Sequence, residues 1–174
     1  MASKSTGITP APAGAPVITD MVISNIPTTA EINYAVRAGI KLSVQDNAAG
    51  ESAIVSRVAG ATSADDVFGG GELVSIKDVL GTALKVEAIE SVRPSDFASE
   101  TGLGVYLVVR TVDIDGEART LAVGSTDAIV KLVKLNELGA LPRWVAFEQA
   151  TKATKSGYYP VNLVDRHAEI AGRF

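Results

Sequence analysis

The sequence contains no cysteine and few aromatic residues. Aromatic side chains account for 5% of its 174 residues and hydrophobic side chains for 47%, so Val, Ile, Leu and Ala must fill the core. Without cysteine the chain can form no disulfide, no thiolate nucleophile and no cysteine-ligated zinc site. This composition is expected of an intracellular protein, or of one that does not depend on its redox state.

Long apolar runs are also missing. A transmembrane helix needs a run of about 18 apolar residues, and none is present, so we expect no membrane partner. The N-terminal segment lacks the apolar core of a signal peptide. Residues 1–20 are instead rich in Ala, Pro, Gly and Ser, which predicts a flexible arm because such a segment buries little apolar surface.

Neither sign of charge dominates. The chain has 16 basic and 20 acidic residues and a formal net charge of −4. This is neither the basic signature of a nucleic-acid-binding domain nor a polyacidic tail, although it leaves room for a local basic stripe. The length suits one domain with an extension, or two very small domains.

Catalytic and metal-binding patterns are equally scarce. His167 is the only histidine, and no G-x-S-x-G motif is present, so we expect no nucleophilic enzyme. The glycine triplet at 69–71 has no Lys-Ser/Thr after it, which favours a linker over a phosphate-binding loop. Asp113, Asp115 and Glu117 match a calcium loop only in part, which favours a hairpin turn. We therefore predict no enzymatic activity, metal, cofactor or small-molecule substrate.

The first half of the chain has mainly helical patterns. Thr28 and Glu31 match a capping box, and Gly39 is a natural helix end, so a helix is predicted between them. A short strand at 40–44, a helix at about 51–59 and a helical turn at 64–68 are predicted next. The resulting division is a flexible arm at 1–20, a helical N-terminal extension at 21–71, a barrel at 72–165 and a tail at 166–174.

The second half alternates in the manner of strands. In the first of these strands Ile89 breaks the alternation, which predicts a β-bulge. Ser125 or Thr126 is predicted to begin a helix that ends at Gly139, with an apolar stripe of Ile129, Leu132, Val133 and Leu135. Strands are predicted at 82–93, 105–114, 117–123, 143–150 and 158–164, with a loop at 94–104 and a hairpin turn at Asp115-Gly116.

The predicted order β-β-β-α-β-β is that of the OB-fold, a five-stranded Greek-key barrel. We therefore predict an α+β, mostly β protein with a five-stranded OB-like barrel after a helical N-terminal region. An open α+β sandwich, with the helix packed on a meander, is the alternative. An SH3-like barrel also has five strands but lacks a three-turn helix at this position.

The last half of the chain resembles a group of small OB-fold single-stranded-DNA-binding proteins of actinobacterial phages and plasmids. The resemblance rests on the segments "DVLGTALKV", "RPSDF", "VYLVV", "DG", "GSTDAIVKLVKL", "ALPRWVAF" and "KSGYYPV". It implies an OB-fold and a role in coating DNA during replication or recombination. It also implies a location in the cytoplasm of a bacterial host cell.

Sites for single-stranded nucleic acid combine aromatic faces that stack on bases with cations that follow the backbone. Strand alternation places Trp144 opposite Val145 and Phe147, and Tyr158 opposite Tyr159. If Val145, Phe147, Val161 and Leu163 fill the barrel, Trp144 and Tyr158 point outward. The same strand phase predicts that Tyr159 points into the barrel.

The predicted site has an aromatic and a cationic part. Bases are predicted to stack on Trp144, Tyr158 and Tyr106. Phosphates are predicted to contact Lys85, Arg110, Arg143, Lys152 and Lys155. The alternative is that Trp144 packs against the N-terminal half, that Tyr158 simply favours a strand, and that the lysines are solvated turn residues.

Single-stranded DNA binding by a homo-oligomer is therefore the predicted function. The alternative is a phage virion or assembly protein that oligomerises through its N-terminal arm. That alternative draws on the acidic balance, the scarcity of aromatic residues and the low-complexity arm.

Overall fold

The computed structural model describes residues 20–45, 55, 58–60, 73–95 and 102–173. Over these residues the chain is an α+β structure, built on a curled, mixed six-stranded sheet and a separate two-stranded sheet. The predicted α+β class is confirmed. Several predictions lie outside the described residues: the arm before residue 20, most of the helix at 51–59, the turn at 64–68, the glycine triplet and the middle of the loop at 94–104.

A β-α-β unit begins the described chain. Thr28 Oγ1 accepts the Glu31 N–H, and a Glu31 carboxylate oxygen accepts the Thr28 N–H at 2.7 Å, so the predicted capping box is confirmed. Gly39 ends the helix with a φ of 66°, which glycine adopts without the strain that a Cβ would cause. The unit consists of β1 (Asp20–Ile23), α1 (Thr29–Ala38) and β2 (Lys41–Val44), and its two strands pair in parallel.

Six strands form the main sheet. They are β3 (Leu73–Ser75), β4 (Ala83–Pro94), β5 (Val105–Asp113), β6 (Ala118–Val123), β7 (Arg143–Gln149) and β8 (Val161–Asp165). Their spatial order is β3-β6-β5-β4-β7-β8. β4 to β8 correspond to the predicted strands, whereas β1 and β3 were not predicted.

The central strands follow the predicted connectivity. β4, β5 and β6 form an antiparallel meander, α2 (Thr126–Glu137) follows, and β7 returns to pair with residues 83–86 of β4. This arrangement is compatible with an OB-like fold. The strand number differs from five because β3 adds to β6 in parallel. Within the described residues β6 does not pair with β8, so the sheet is a half-barrel.

Side chains at the start of α2 cover the free edge of β8. Asp127 Oδ2 accepts the Leu163 N–H at 2.8 Å, and Lys131 Nζ donates to the Leu163 carbonyl at 3.0 Å. The Ser125 hydroxyl donates to the Val161 carbonyl instead of capping its own helix. These backbone groups are the ones that a further strand would use, so α2 seals the edge at which a closed barrel would continue.

Two bulges interrupt β4. Its pairing with β5 skips Glu87 and Glu90, which therefore have no directly opposite residue. The bulge predicted from the phase of Ile89 is confirmed. Bulges bend a strand and increase its twist, which suits a sheet that curls around a core.

The core fills the inner face of the half-barrel and extends into the N-terminal unit. Phe147 of β7, Ile129 of α2 and Ile32 of α1 are buried in one cluster. Gly104 allows β2 to approach the sheet closely, because a Cβ at this position would lie 3.0 Å from the Leu42 carbonyl oxygen. The two parts of the described chain thus share one core. The division into domains stays a prediction.

The β5–β6 hairpin is organised by one carboxylate. Asp113 Oδ1 accepts the N–H groups of Asp115 and Glu117 at 3.0 and 2.9 Å, and Oδ2 accepts Arg119 at 3.2 Å. Gly116 has a φ of 88° in the turn. The interpretation of these acidic residues as a hairpin is confirmed.

The C-terminal residues pack against β7. They form α3 (His167–Ile170) and a 3-10 helix (Ala171–Arg173), and Ile170 is buried. Arg166 forms ion pairs with Glu148 of β7 and with Glu169. The predicted tail is therefore attached to the sheet over its described residues.

Candidate functional site

The hairpin tip, residues 151–159 between β7 and β8, is a compact turn. The Gly157 N–H donates to the Thr154 carbonyl at 2.9 Å, and the Thr154 N–H donates to the Tyr158 carbonyl at 2.7 Å. Gly157 has a φ of 79°, as in three-residue hairpin loops that end in a left-handed glycine. The Thr154–Tyr158 pair closes the loop, so the predicted turn is confirmed.

Both tyrosines of the hairpin tip are exposed. Tyr158 is 52% exposed and Tyr159 is 45% exposed, so the expectation that Tyr159 points into the barrel is wrong. Alternation holds only within a strand ladder, and β8 begins at Val161. Pro160 has no N–H to donate to a ladder, and Tyr158 is hydrogen-bonded across the loop instead.

Two cations lie in the same loop. Within the described ranges, no carboxylate is within ion-pair distance of Lys152 or Lys155. Both lysines are exposed. The hairpin tip therefore presents two positive charges near two exposed aromatic rings.

The outer face of the sheet, which points away from the core, carries the second part of the predicted site. Lys85 of β4 and Trp144 of β7 are directly opposite each other, and both are half-buried. Tyr106 and Arg110 lie on the same face of β5, because their positions differ by an even number. Tyr106 is half-buried beside Gly124, where an added Cβ would lie 4.0 Å from the Tyr106 Cβ.

The cations of this outer face are paired with carboxylates. Glu87 lies 3.6 Å from Lys85 Nζ and 3.3 Å from Arg110 Nε. Glu90 lies 3.9 Å from the other end of the Arg110 guanidinium. A phosphate at this face would have to compete with these carboxylates.

Arg143 lies on the opposite face of β7 from Trp144, because adjacent strand residues point to opposite sides. Its guanidinium donates to Asp165 at 3.0 and 2.6 Å. The hydrogen bond from Arg143 is the main reason that the pKa of Asp165 is lowered, and the same bond raises the pKa of Arg143. Arg143 is thus engaged at a different place from the outer face.

The structure therefore separates the predicted residues into three places. Lys152, Lys155 and Tyr158 are together at the hairpin tip. The outer face holds Lys85, Tyr106, Arg110 and Trp144, and Arg143 is on the other side. From Trp144 to Gln149, where β7 ends, the strand spans roughly 17 Å at about 3.4 Å per residue.

Sequence reasoning missed the carboxylates that hold the predicted cations. The phase break at Ile89 indicated one bulge, but it did not show that both bulges contain a glutamate next to Arg110. No local pattern places Asp165 against Arg143, since they lie 22 positions apart along the chain. Tyr159 was missed because the strand was predicted to start too early.

Other chemistry has little support in the described part of the chain. It contains no cluster of His, Asp or Glu side chains that could hold a metal ion. The peptide N–H of His167 donates to Asp165. The buried Nδ1 of the His167 ring has no hydrogen-bond partner among the described residues. No helix in the described ranges combines the length and apolar character needed to cross a bilayer.

Comparison with protein-family models, curated proteins and solved structures finds no match. The resemblance to phage and plasmid DNA-binding proteins therefore stays a prediction.

Proposed function

We propose that the protein is a non-enzymatic single-stranded-DNA-binding protein with an OB-like barrel, acting in phage-type DNA replication or recombination. The observation that carries the proposal is the hairpin tip. There, Tyr158 and Tyr159 expose their rings beside Lys152 and Lys155, which have no carboxylate partner in the described part of the chain.

The chemistry of the hairpin tip matches single-stranded nucleic acid. Each base stacked on an aromatic ring contributes about 1–3 kcal/mol, and every base has a face that can stack. The lysines supply positive charge for the phosphates, so binding should weaken as salt increases. The hydrogen bonds across the loop hold the tip in place, which reduces the entropy lost on binding.

The position of the hairpin tip also supports the proposal. It connects the strands that correspond to the fourth and fifth strands of an OB-fold, and the loop between those strands contacts oligonucleotides in that fold. From the tip, a bound strand would continue over Trp144, Lys85, Arg110 and Tyr106 on the outer face.

A titration of labelled oligo-dT tests the proposal. We expect binding at about 50 mM salt and a marked loss at about 200 mM, because the counterions that the phosphates release on binding gain less entropy when the bulk salt concentration is higher. Absence of binding at the lower salt concentration would overturn the proposal.

Replacement of Tyr158 by alanine tests the location of the site. We expect Tyr158→Ala to weaken oligo-dT binding about five- to 150-fold, the equivalent of about 1–3 kcal/mol, with little change in stability. Tyr34→Ala is the matched control, because Tyr34 is a tyrosine on α1 whose exposure, 59%, is close to the 52% of Tyr158. Equal affinities of the two variants would exclude the hairpin tip as the site.

A phage virion or assembly protein is the second candidate function. The observation that favours it is β1, which pairs only with β2 in the described residues and exposes Val22 by 64%. Open strand edges can pair with another chain. Light scattering with and without residues 1–20 discriminates, since an assembly that is lost on truncation and indifferent to DNA would favour this candidate.

A further inference from the structure

The two bulges of β4 have a common result on the outer face. Each inserts one glutamate, Glu87 or Glu90, that has no opposite residue on β5. Both glutamates are directed at the same guanidinium, that of Arg110, at 3.3 and 3.9 Å. Glu87 also lies 3.6 Å from the Lys85 amino group.

Glu87 is the shared partner in this cluster. Its carboxylate lies within ion-pair distance of two cations, whereas Glu90, within the described ranges, reaches Arg110 alone. All four side chains are partly exposed, with Arg110 at 49% and Glu87 at 32%. Ion pairs at such exposure are weak, so an incoming anion can displace the carboxylate.

We propose that Glu87 determines how strongly the outer face holds phosphate, by occupying Lys85 and Arg110 until a nucleic-acid backbone displaces it. The inference rests on the proposed function, since it concerns the affinity of that same site. In this arrangement the outer face adds a contact that is weaker than that of the hairpin tip, because carboxylates compete for its cations.

The charges support this assignment. A cation that already neutralises a carboxylate releases fewer counterions when it meets a phosphate. Removal of the Glu87 charge leaves Lys85 without a carboxylate partner in the described residues and leaves Arg110 with only its longer contact to Glu90. Both cations then contribute to binding and to its salt dependence.

The test compares Glu87→Gln with Asp20→Asn in oligo-dT titrations at several salt concentrations. Asp20→Asn removes the same charge from the exposed start of β1, so it controls for the change in net charge. We expect Glu87→Gln to bind about two- to fivefold more tightly than the control, the range that a surface ion pair can account for. The slope of log K against log salt should steepen by about 0.7 for each released cation.

Glu90→Gln is a second test, for which we expect an effect of intermediate size on oligo-dT affinity. Because the contact of Glu90 with Arg110 is longer than that of Glu87, its effect should fall between those of Glu87→Gln and Asp20→Asn. Unfolding in urea confirms that each variant is folded, and a purely structural role of Glu87 would not alter the salt slope.

The possible outcomes separate the inference from the proposed function. If the wild type binds and Glu87→Gln equals Asp20→Asn in affinity and slope, the inference is overturned and the proposed function stands. If only Glu87→Gln binds, DNA binding by the wild type is overturned, and so is the displacement of Glu87 by a nucleic-acid backbone. If no variant binds at about 50 mM salt, where the phosphate contribution is large, both are overturned.

Discussion

The two parts of the β7–β8 hairpin, its body of paired strands and its tip, differ in how many contacts they make with the rest of the described chain. In the body, α2 side chains seal β8, and Arg143 and Arg166 are held by carboxylates. The hairpin tip is exposed throughout, and its hydrogen bonds lie largely within the loop itself. The two regions are continuous in sequence, yet the cations of the body are paired with carboxylates, whereas in the described residues the lysines of the tip are not.

This difference explains why composition was a poor guide to the site. Most arginines and lysines of the body and the outer face already have acidic partners. The cations of the hairpin tip have none in the described ranges, so positive charge is locally uncompensated there although the net charge is −4. Local pairing, more than net charge, determines where binding can occur.

The largest effect is expected at the sealed edge of β8. Asp127→Ala removes the acceptor of the Leu163 N–H and the ion pair with Lys131 at 2.9 Å. Leaving a partly buried N–H without a partner costs about 1–3 kcal/mol, which urea denaturation will measure as a lower free energy of unfolding. Asp127→Asn, which retains an oxygen acceptor, should lose less. If Asp127→Ala is as stable as the wild type, the hydrogen bond from Leu163 to Asp127 does not stabilise the edge of β8.

A smaller effect is expected in the hairpin tip. Gly157 has a φ of 79°, and an added Cβ would meet no atom within 4 Å, so Gly157→Ala tests backbone strain alone. We expect a loss of about 1 kcal/mol in unfolding free energy, since the left-handed conformation costs an L-residue about 1–2 kcal/mol. Asn tolerates this conformation better, so Gly157→Asn is the control. A loss as large as that of Asp127→Ala would contradict the view that the tip contributes little to stability.

The smallest effect on stability is expected from lowering the pH. Glu137 accepts the Thr29 N–H and hydroxyl at 2.7 and 2.6 Å, and these bonds lower its pKa, as Arg143 lowers that of Asp165. A lowered folded-state pKa gives stability that is present above the ordinary carboxylate range, roughly pH 4, and is lost as the pH falls through the folded-state values.

Urea midpoints measured between about pH 5 and pH 2.5 will show this decline. The hairpin tip has no carboxylate and should not contribute to it. Glu137→Gln should reduce the decline, because it removes one of the two groups. A midpoint that stays constant or rises as the pH falls would contradict the assignment.

Local patterns predicted much of the fold. The capping box at Thr28 and Glu31, the apolar stripe of α2 and the Asp115-Gly116 turn depend on neighbours within a few residues, so the sequence reveals them. β3 was missed because it has only three residues, Leu73–Ser75, and pairs with a distant strand. Such a short segment has too little alternation to be recognised.

The candidate site was predictable only in part. Trp144 and the lysines of the hairpin tip were correctly assigned to the hairpin and its turn, because alternation and turn chemistry are local. The partners of Lys85, Arg110 and Arg143 were not predicted, since they depend on bulges and on pairing across strands. Tyr159 was assigned to the wrong environment because the start of β8 depends on which residues join the ladder.

The amino-acid order alone accounts for α1, α2, the succession from β4 to β8, the turn at the hairpin tip and the lack of cysteine chemistry, because these follow from local spacing and composition. The tertiary structure decided that the sheet remains a half-barrel, sealed by α2, and which cations are occupied by carboxylates. Both results depend on contacts between residues that are far apart in the chain, such as Asp127 with Leu163 and Arg143 with Asp165. Such contacts exist only once the strands are in register.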